Sequence, residues 1–144
     1  MTRNATGFHE QWNFDPLRDM IEFHRKFQLE YIGPPRQLPA DIEEFRAKFL
    51  REEADEYSEI VAKSPLSRGQ DDNAKQLDAL VDIVYVALGT AYLHGYDFAE
   101  AWQRVHAANM AKVRAVDQSE SKRGSTFDVI KPAGWVAPDL TDLV

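Results

Sequence analysis

Arg51-Glu52-Glu53-Ala54-Asp55-Glu56-Tyr57 and Asp78-Ala79-Leu80-Val81-Asp82 set acids inside segments that otherwise read as helices with apolar faces. Around the first, Ile42, Phe45, Phe49, Leu50, Tyr57 and Ile60 gather on one side of a helix that turns by about 100° per residue. Glu53 falls near the middle of that apolar face, Glu52 and Glu56 fall on its edge, and Asp55 falls away from it. Around the second, residues 77–93 are apolar almost all round, which predicts a helix central to a packed bundle. Asp78 and Asp82 stand one turn apart and share a face. Asp78 also suits a helix's first turn, where the backbone dipole favours negative charge, whereas Asp82 has no such explanation.

Carboxylates on faces meant for burial are costly unless something neutralises them. A divalent cation is the usual remedy, and no matching set of buried cations accompanies these acids in the sequence. Facing helices that carry Glu53, Glu56, Asp78 and Asp82 would form an oxygen-rich site suited to Mg²⁺, with Mn²⁺ as a substitute. Zinc is disfavoured, since there is no cysteine and no obvious histidine pair. For Glu52 and Glu56 the plain alternative is solvated helix charge.

Working outward, Asp15-Pro16 reads as an N-cap followed by proline at the first helical position. A first helix is predicted from there to residue 27 or 28, with Leu17, Met20, Ile21, His24 and Phe27 at spacings of three and four. Gly33-Pro34-Pro35 and Leu38-Pro39 make residues 29–39 an irregular connection. The second helix is predicted from residue 40 or 41 to 62 or 63, and Ser64-Pro65 ends it. After an exposed loop the third runs over 73–94, with Gly95 as a left-handed cap. The fourth spans 98–115. Residues 1–13 read as an arm, and residues 117–126 as polar and mobile. Residues 127–136, centred on Lys131-Pro132-Ala133-Gly134-Trp135, read as a short hairpin or a strap. The expectation is all-α: one domain over residues 1–144, a four-helix bundle at about 16–115 and a tail at 116–144.

The chain has 144 residues, 44% of them hydrophobic, enough for one substantial core. Its net charge of −7, from 24 acidic and 17 basic residues, disfavours a protein that tracks a nucleic-acid backbone. No signal segment is read at the start. The most apolar run, residues 80–93, is too short to span a bilayer, so no membrane partner is expected. The absence of cysteine is compatible with the cytoplasm.

Two further groups carry chemistry. Trp102, Val105, Asn109 and Val113 recur on one face of the fourth helix, which points Asn109 inward with Lys112 beside it and His106 nearby. Asn109 and Lys112 read either as an interior amide and a snorkelling lysine, or as grips for phosphate oxygens or a sugar hydroxyl. In the first helix, Phe23, His24 and Phe27 read either as core, the usual meaning of an aromatic stripe at helical spacing, or as a base-stacking wall.

Glu52-Glu53-x-x-Glu56 followed by an acidic third helix resembles the all-α nucleoside triphosphate pyrophosphohydrolases, the MazG-like and phosphoribosyl-ATP pyrophosphohydrolase-like group. Glu22-Phe23-His24-x-x-Phe27, the apolar stretch closed by Gly95, and Val105-His106-x-x-Asn109-Met110-x-Lys112 are similar to its bacterial and phage-type members. The resemblance covers roughly residues 17–115, and the Lys131-to-Pro138 ending shares it. It implies Mg²⁺-dependent cleavage between the α and β phosphates of a (d)NTP, a purine such as dGTP or dATP. The products are a nucleoside monophosphate and pyrophosphate. It also implies Glu53, Glu56 and Asp82 as metal ligands, and Glu52 as a further ligand or the residue orienting water. Arg51 and Lys112 would hold phosphate, and a homodimer or homotetramer would form in a bacterial or phage-host cytoplasm. The family pattern expects a glutamate at position 79, where Ala79 stands, so Asp78 is the candidate replacement. Phosphoribosyl-ATP hydrolysis and a non-catalytic nucleotide- or metal-binding bundle remain as alternatives. A di-iron bundle fits less well, since neither Glu53 nor Asp82 is followed by histidine three residues on.

Overall fold

A computed structural model describes residues 14–144; the expected N-terminal arm lies outside them. They fall into two compact units. The first comprises the residues up to Gly33 together with Gln37–His94, and the second comprises Pro34–Arg36 and Gly95–Val144.

The first unit is three helices: α1 (Pro16–Lys26), α2 (Ala40–Ala62) and α3 (Gln70–His94). Asp15 caps α1 by accepting the Arg18 N–H at 3.0 Å, and Pro16 opens the first turn. A single turn at Pro65–Ser67 links α2 to α3. α3 begins three residues earlier than predicted. The Asp72 carboxylate in its first turn accepts the Gly69 N–H at 3.1 Å and the Lys63 ammonium at 2.6 Å, which satisfies groups a bare helix start leaves open. Gly95 closes α3 at φ 74°, a left-handed cap as expected.

The prediction that α3 is buried nearly all round does not hold. Ala79, Val86, Leu88, Gly89 and Ala91 are buried, but Leu77, Leu80, Val81 and Val84 are exposed, with Leu80 at 45% and Val84 at 53%. Periodicity counts apolar positions without saying what covers them, and two neighbouring helices cannot surround a third. On α2, Ile42 and Phe45 are exposed for the same reason. The 25-residue α3 is also, by length and composition, apolar enough to cross a bilayer, unlike the shorter run taken alone.

The second unit holds α4 (Phe98–Met110) and a two-stranded sheet, β1 (Val113–Arg114) with β2 (Val129–Ile130). Asp97 caps α4 by accepting the Glu100 N–H at 3.1 Å. α4 stops five residues before the predicted end, because the chain turns out to pair antiparallel, Val113 with Ile130 and Arg114 with Val129. β-branched residues at three of these four positions suit that pairing. The Ala115 N–H extends it to the Asp128 carbonyl at 3.0 Å, and Ala115 is buried. Residues 117–126, expected to be mobile, contain a capped turn: Asp117 and Glu120 bond each other's backbone around Gln118–Glu120. Residues 127–136, expected as a short hairpin or a strap, hold only the strand Val129–Ile130, and its partner is Val113–Arg114 and not a second strand of the same segment. Across the described residues the all-α class holds, with four α-helices and this one small sheet.

Candidate active site

Three sets of contacts set the register of α2 on α3. Lys63 meets Asp72 at one end, and at the other Arg46 donates from Nε to Thr90 Oγ1 at 3.0 Å and from Nη2 to the Val86 carbonyl at 2.7 Å. The pairs step in opposite directions along the two helices, so α2 and α3 run antiparallel. Midway between them, Glu53 comes opposite residues 78–82.

Glu53 is 8% exposed, shielded from water although close to the surface of the unit. Burial pushes its carboxyl above the usual carboxylate range, and the charges of Glu56, Asp82, Glu52 and Asp78 push the same way, in that order. All the predicted acids therefore act on one group, and Asp82 acts more strongly than Asp78. Asp82 is half-buried; Asp78, Glu52 and Glu56 are exposed. Glu52 also lies 3.8 Å from Lys48 one turn away, an ordinary surface pair. Ala79 is 2% exposed and lies on the stripe with Val86 and Thr90 that faces α2.

The donors fit a hard divalent cation in kind, since all are carboxylate oxygens, and a cation would relieve the repulsion on Glu53. Among the described residues, however, no three histidine or acidic side chains are gathered closely enough to hold a metal ion. What this chain displays is the charge arrangement, not a closed ligand shell.

The aromatic group divides. His24, 2% exposed, bonds the Met20 carbonyl through Nδ1 at 2.7 Å; since a carbonyl only accepts, Nδ1 carries the hydrogen. Its ring stacks on Tyr92 at 4.2 Å and meets Phe23 edge-on at 5.4 Å, as a core residue does. Phe23 is half-buried against Tyr85 and Phe27, while Phe27 is exposed. Arg51 is exposed.

Asn109 and Lys112 belong to the second unit. Asn109 is exposed, against the prediction that it points inward, as are Trp102, Val105 and His106 on the same helix. α4 unwinds there, so Asn109 lies in its last turn, where its carbonyl accepts the Lys112 N–H at 3.1 Å. Lys112 is half-buried, its ammonium 5.5 Å from the centre of the Trp135 ring.

Arg46 escapes a reading of the sequence. Its guanidinium lies 5.5 Å from the centre of the Phe49 ring, and burial lowers its pKa. Gly89 makes room for it: a Cβ there would stand 3.0 Å from Arg46 Nη2 and 3.5 Å from His24 Cε1. The only sequence signal is an arginine lying among Ile42, Phe45 and Phe49 on the apolar face of α2.

An antiparallel pair of acid-bearing helices within an all-α chain defines the class, an all-helical protein with carboxylates focused between α2 and α3. The chain belongs to the phosphoribosyl-ATP pyrophosphohydrolase family, a MazG-like group of all-helical pyrophosphohydrolases, whose model matches residues 20–109. No curated protein matches the sequence. The matched segment contains every acid that acts on Glu53 and ends at Asn109, so the whole tail lies beyond it.

Proposed function

We propose that this protein is a Mg²⁺-dependent nucleoside triphosphate pyrophosphohydrolase that splits the α–β phosphoanhydride of a (d)NTP to the monophosphate and pyrophosphate. The substrate we favour is a purine deoxynucleotide, dGTP or dATP. The observation that carries the reading is Glu53, a carboxyl pushed upward by burial and by four neighbouring carboxylates, of which only the exposed Glu52 meets a cation, Lys48 at 3.8 Å. Such a cluster is unfavourable alone and repels a triphosphate; divalent ions reconcile it with both. Glu53, Glu56 and Asp82, with Asp78, would hold the metal, whose chemistry is to neutralise the phosphates and acidify a bound water. Glu53 and Glu52 are suited to orient the attacking water and take its proton. Arg51 supplies donors for the phosphates, and Phe23 and Phe27 an aromatic edge for the base. Asn109 and Lys112 are phosphate donors of the second unit. His24 serves that edge from behind, since Tyr92 already covers its ring.

The exposed row Leu77, Leu80, Val81 and Val84 favours assembly with a second copy, as a homodimer or homotetramer. Lipid is a poor alternative cover for it, because Asp78 and Asp82 belong to the same helix. A free nucleotide substrate fits a cytoplasmic setting, bacterial or that of a phage host, and the acidic chain is a poor binder of nucleic-acid polymers.

Phosphoribosyl-ATP is the second reading, favoured by the family match itself. Purified protein with Mg²⁺ should release pyrophosphate from at least one nucleotide in a panel of NTPs, dNTPs and phosphoribosyl-ATP, and the panel identifies which. Release of orthophosphate alone, or turnover of none, would overturn the assignment.

A further inference from the structure

The chain from Gly95 onward carries cations that none of its own acids compensates. Seven acidic residues follow Gly95, and each is already engaged. Asp97 caps α4 and Glu100 takes Arg104; Asp117 and Glu120 bond backbone N–H groups. Asp128 takes Arg123 and Ser121, Asp139 holds Thr141, and Asp142 takes the Arg104 fork at 2.6 and 2.9 Å. Of the basic side chains, Arg104 and Arg123 are paired with acids and Arg114 bonds the Thr126 carbonyl.

Lys112 and Lys131 instead come to one indole. Their ammonium groups lie 5.5 and 4.5 Å from the centre of the Trp135 ring. Among the described residues neither has a carboxylate within ion-pair distance. Trp135 is itself anchored: its indole N–H donates to the Ala108 carbonyl at 2.7 Å, and its backbone N–H to Pro132 at 3.0 Å across a turn with Gly134 at φ 79°. A ring face attracts an ammonium but offers no acceptor oxygen, so the N–H donors of both lysines keep their capacity for an anion. Two such charges, each within 5.5 Å of the same ring centre, match an anion with several acceptor oxygens on adjacent centres better than a single carboxylate.

We propose that Lys112, Lys131 and Trp135 form an oligophosphate-binding site, with the two ammonium groups gripping the oxygens of a pyrophosphate or of a nucleotide's phosphate chain and the indole holding them in place. The preceding reading supplies the identity of the anion and the phosphate role of Lys112; the partnership of Lys112 with Lys131 and Trp135 is new. Lys131 and Trp135 thereby become binding residues in a segment outside the family match.

The test is calorimetric titration of the full chain with inorganic pyrophosphate and, separately, dATP, in EDTA so that the acidic helices hold no divalent ion. Lys131→Gln and Lys112→Gln should each weaken pyrophosphate binding about tenfold, the scale of one charge-assisted contact. Lys122→Gln, at an exposed tail lysine away from Trp135, should leave it unchanged. Tighter dATP than pyrophosphate binding assigns the site to the nucleotide, and the reverse to the released product; either supports it. Wild-type affinity in Lys131→Gln, equal losses in Lys122→Gln, or a lowered melting temperature in Lys131→Gln without weaker binding overturns it. Pyrophosphate binding by a protein that turns over no nucleotide would uphold this site and sink the proposed activity. Turnover with unaltered Lys131→Gln binding would do the opposite.

Discussion

Replacing Glu53 by glutamine separates the two consequences of a crowded carboxylate: a cost without metal and a gain with it. The side chain keeps its size and loses its charge. Glu53 is shielded, and Glu56, Asp82, Glu52 and Asp78 all act to keep it protonated. A like-charge pair one helical turn apart, as Glu53 and Glu56 are, costs about 0.2–0.5 kcal/mol; with burial of the charge and the α3 acids added, the relief is on the order of 1 kcal/mol. In a chain of this size that is a rise of roughly 3 °C in melting temperature. In EDTA at pH 7, Glu53→Gln should therefore melt above the wild type. The sign with pH follows from the raised folded value. Below the usual carboxylate range the acid is neutral folded and unfolded, and the variant's advantage vanishes. It grows as pH rises through the window between the unfolded and folded values and is constant above both. With millimolar Mg²⁺ the order should reverse, because a ligand bound only by the folded wild type adds stability by mass action. Differential scanning fluorimetry across pH, with EDTA or Mg²⁺, reads all of this. A variant that melts below the wild type in EDTA, or that gains as much from Mg²⁺, would refute the reasoning.

Three other outcomes follow from the same geometry. Asp82→Asn should lower pyrophosphate release at least a hundredfold and Asp78→Asn much less, since half-buried Asp82 acts more strongly on Glu53; equal effects in steady-state kinetics would count against Asp82 as the principal α3 ligand. Arg46→Met should destabilise by about 2 kcal/mol in urea unfolding, and Arg46→Lys should rescue little, because one ammonium cannot reproduce a fork that reaches both Val86 and Thr90; full rescue by lysine would reduce the contact to simple charge. Leu80→Glu combined with Val84→Glu should convert the assembled protein to monomers in light scattering, as two apolar side chains worth about 1.5–3 kcal/mol each on burial become charged; a wild type that is monomeric at tens of micromolar would dispose of the assembly instead.

The parts of the fold that were legible are those written locally. Asp15-Pro16, Ser64-Pro65 and Gly95 mark helix ends through chemistry contained within a few residues, and the structure places those ends where the signals stand. The acid cluster was legible for a related reason: Glu53 violates the period of its own helix, and a violation is visible without knowing the partner. What could not be read depends on pairs far apart in sequence. Strands of two residues have no period, so the junction of 113–114 with 129–130 left no trace, and the end of α4 was overrun. Arg46 resembles surface charge until the register of α2 on α3 brings Val86 and Thr90 within its reach.

Position 79 shows how register turns a pattern mismatch into a structural fact. Ala79 recurs with Val86 and Thr90 on one stripe of α3, and Thr90 takes its bond from Arg46 of α2, so the stripe faces α2. A glutamate there would project toward the carboxylates of α2; the methyl that replaces it is almost fully buried. Asp78 lies about 100° around the helix from that stripe and is exposed, so its carboxylate approaches from a direction other than the one a glutamate at 79 would take. Asp82, one turn on and half-buried, is the α3 carboxylate felt most strongly at Glu53. The acid grouping is thus weighted toward α2, with Glu52, Glu53 and Glu56 set against one well-placed aspartate. A cation held between these helices would draw its charge from that unequal pair of edges.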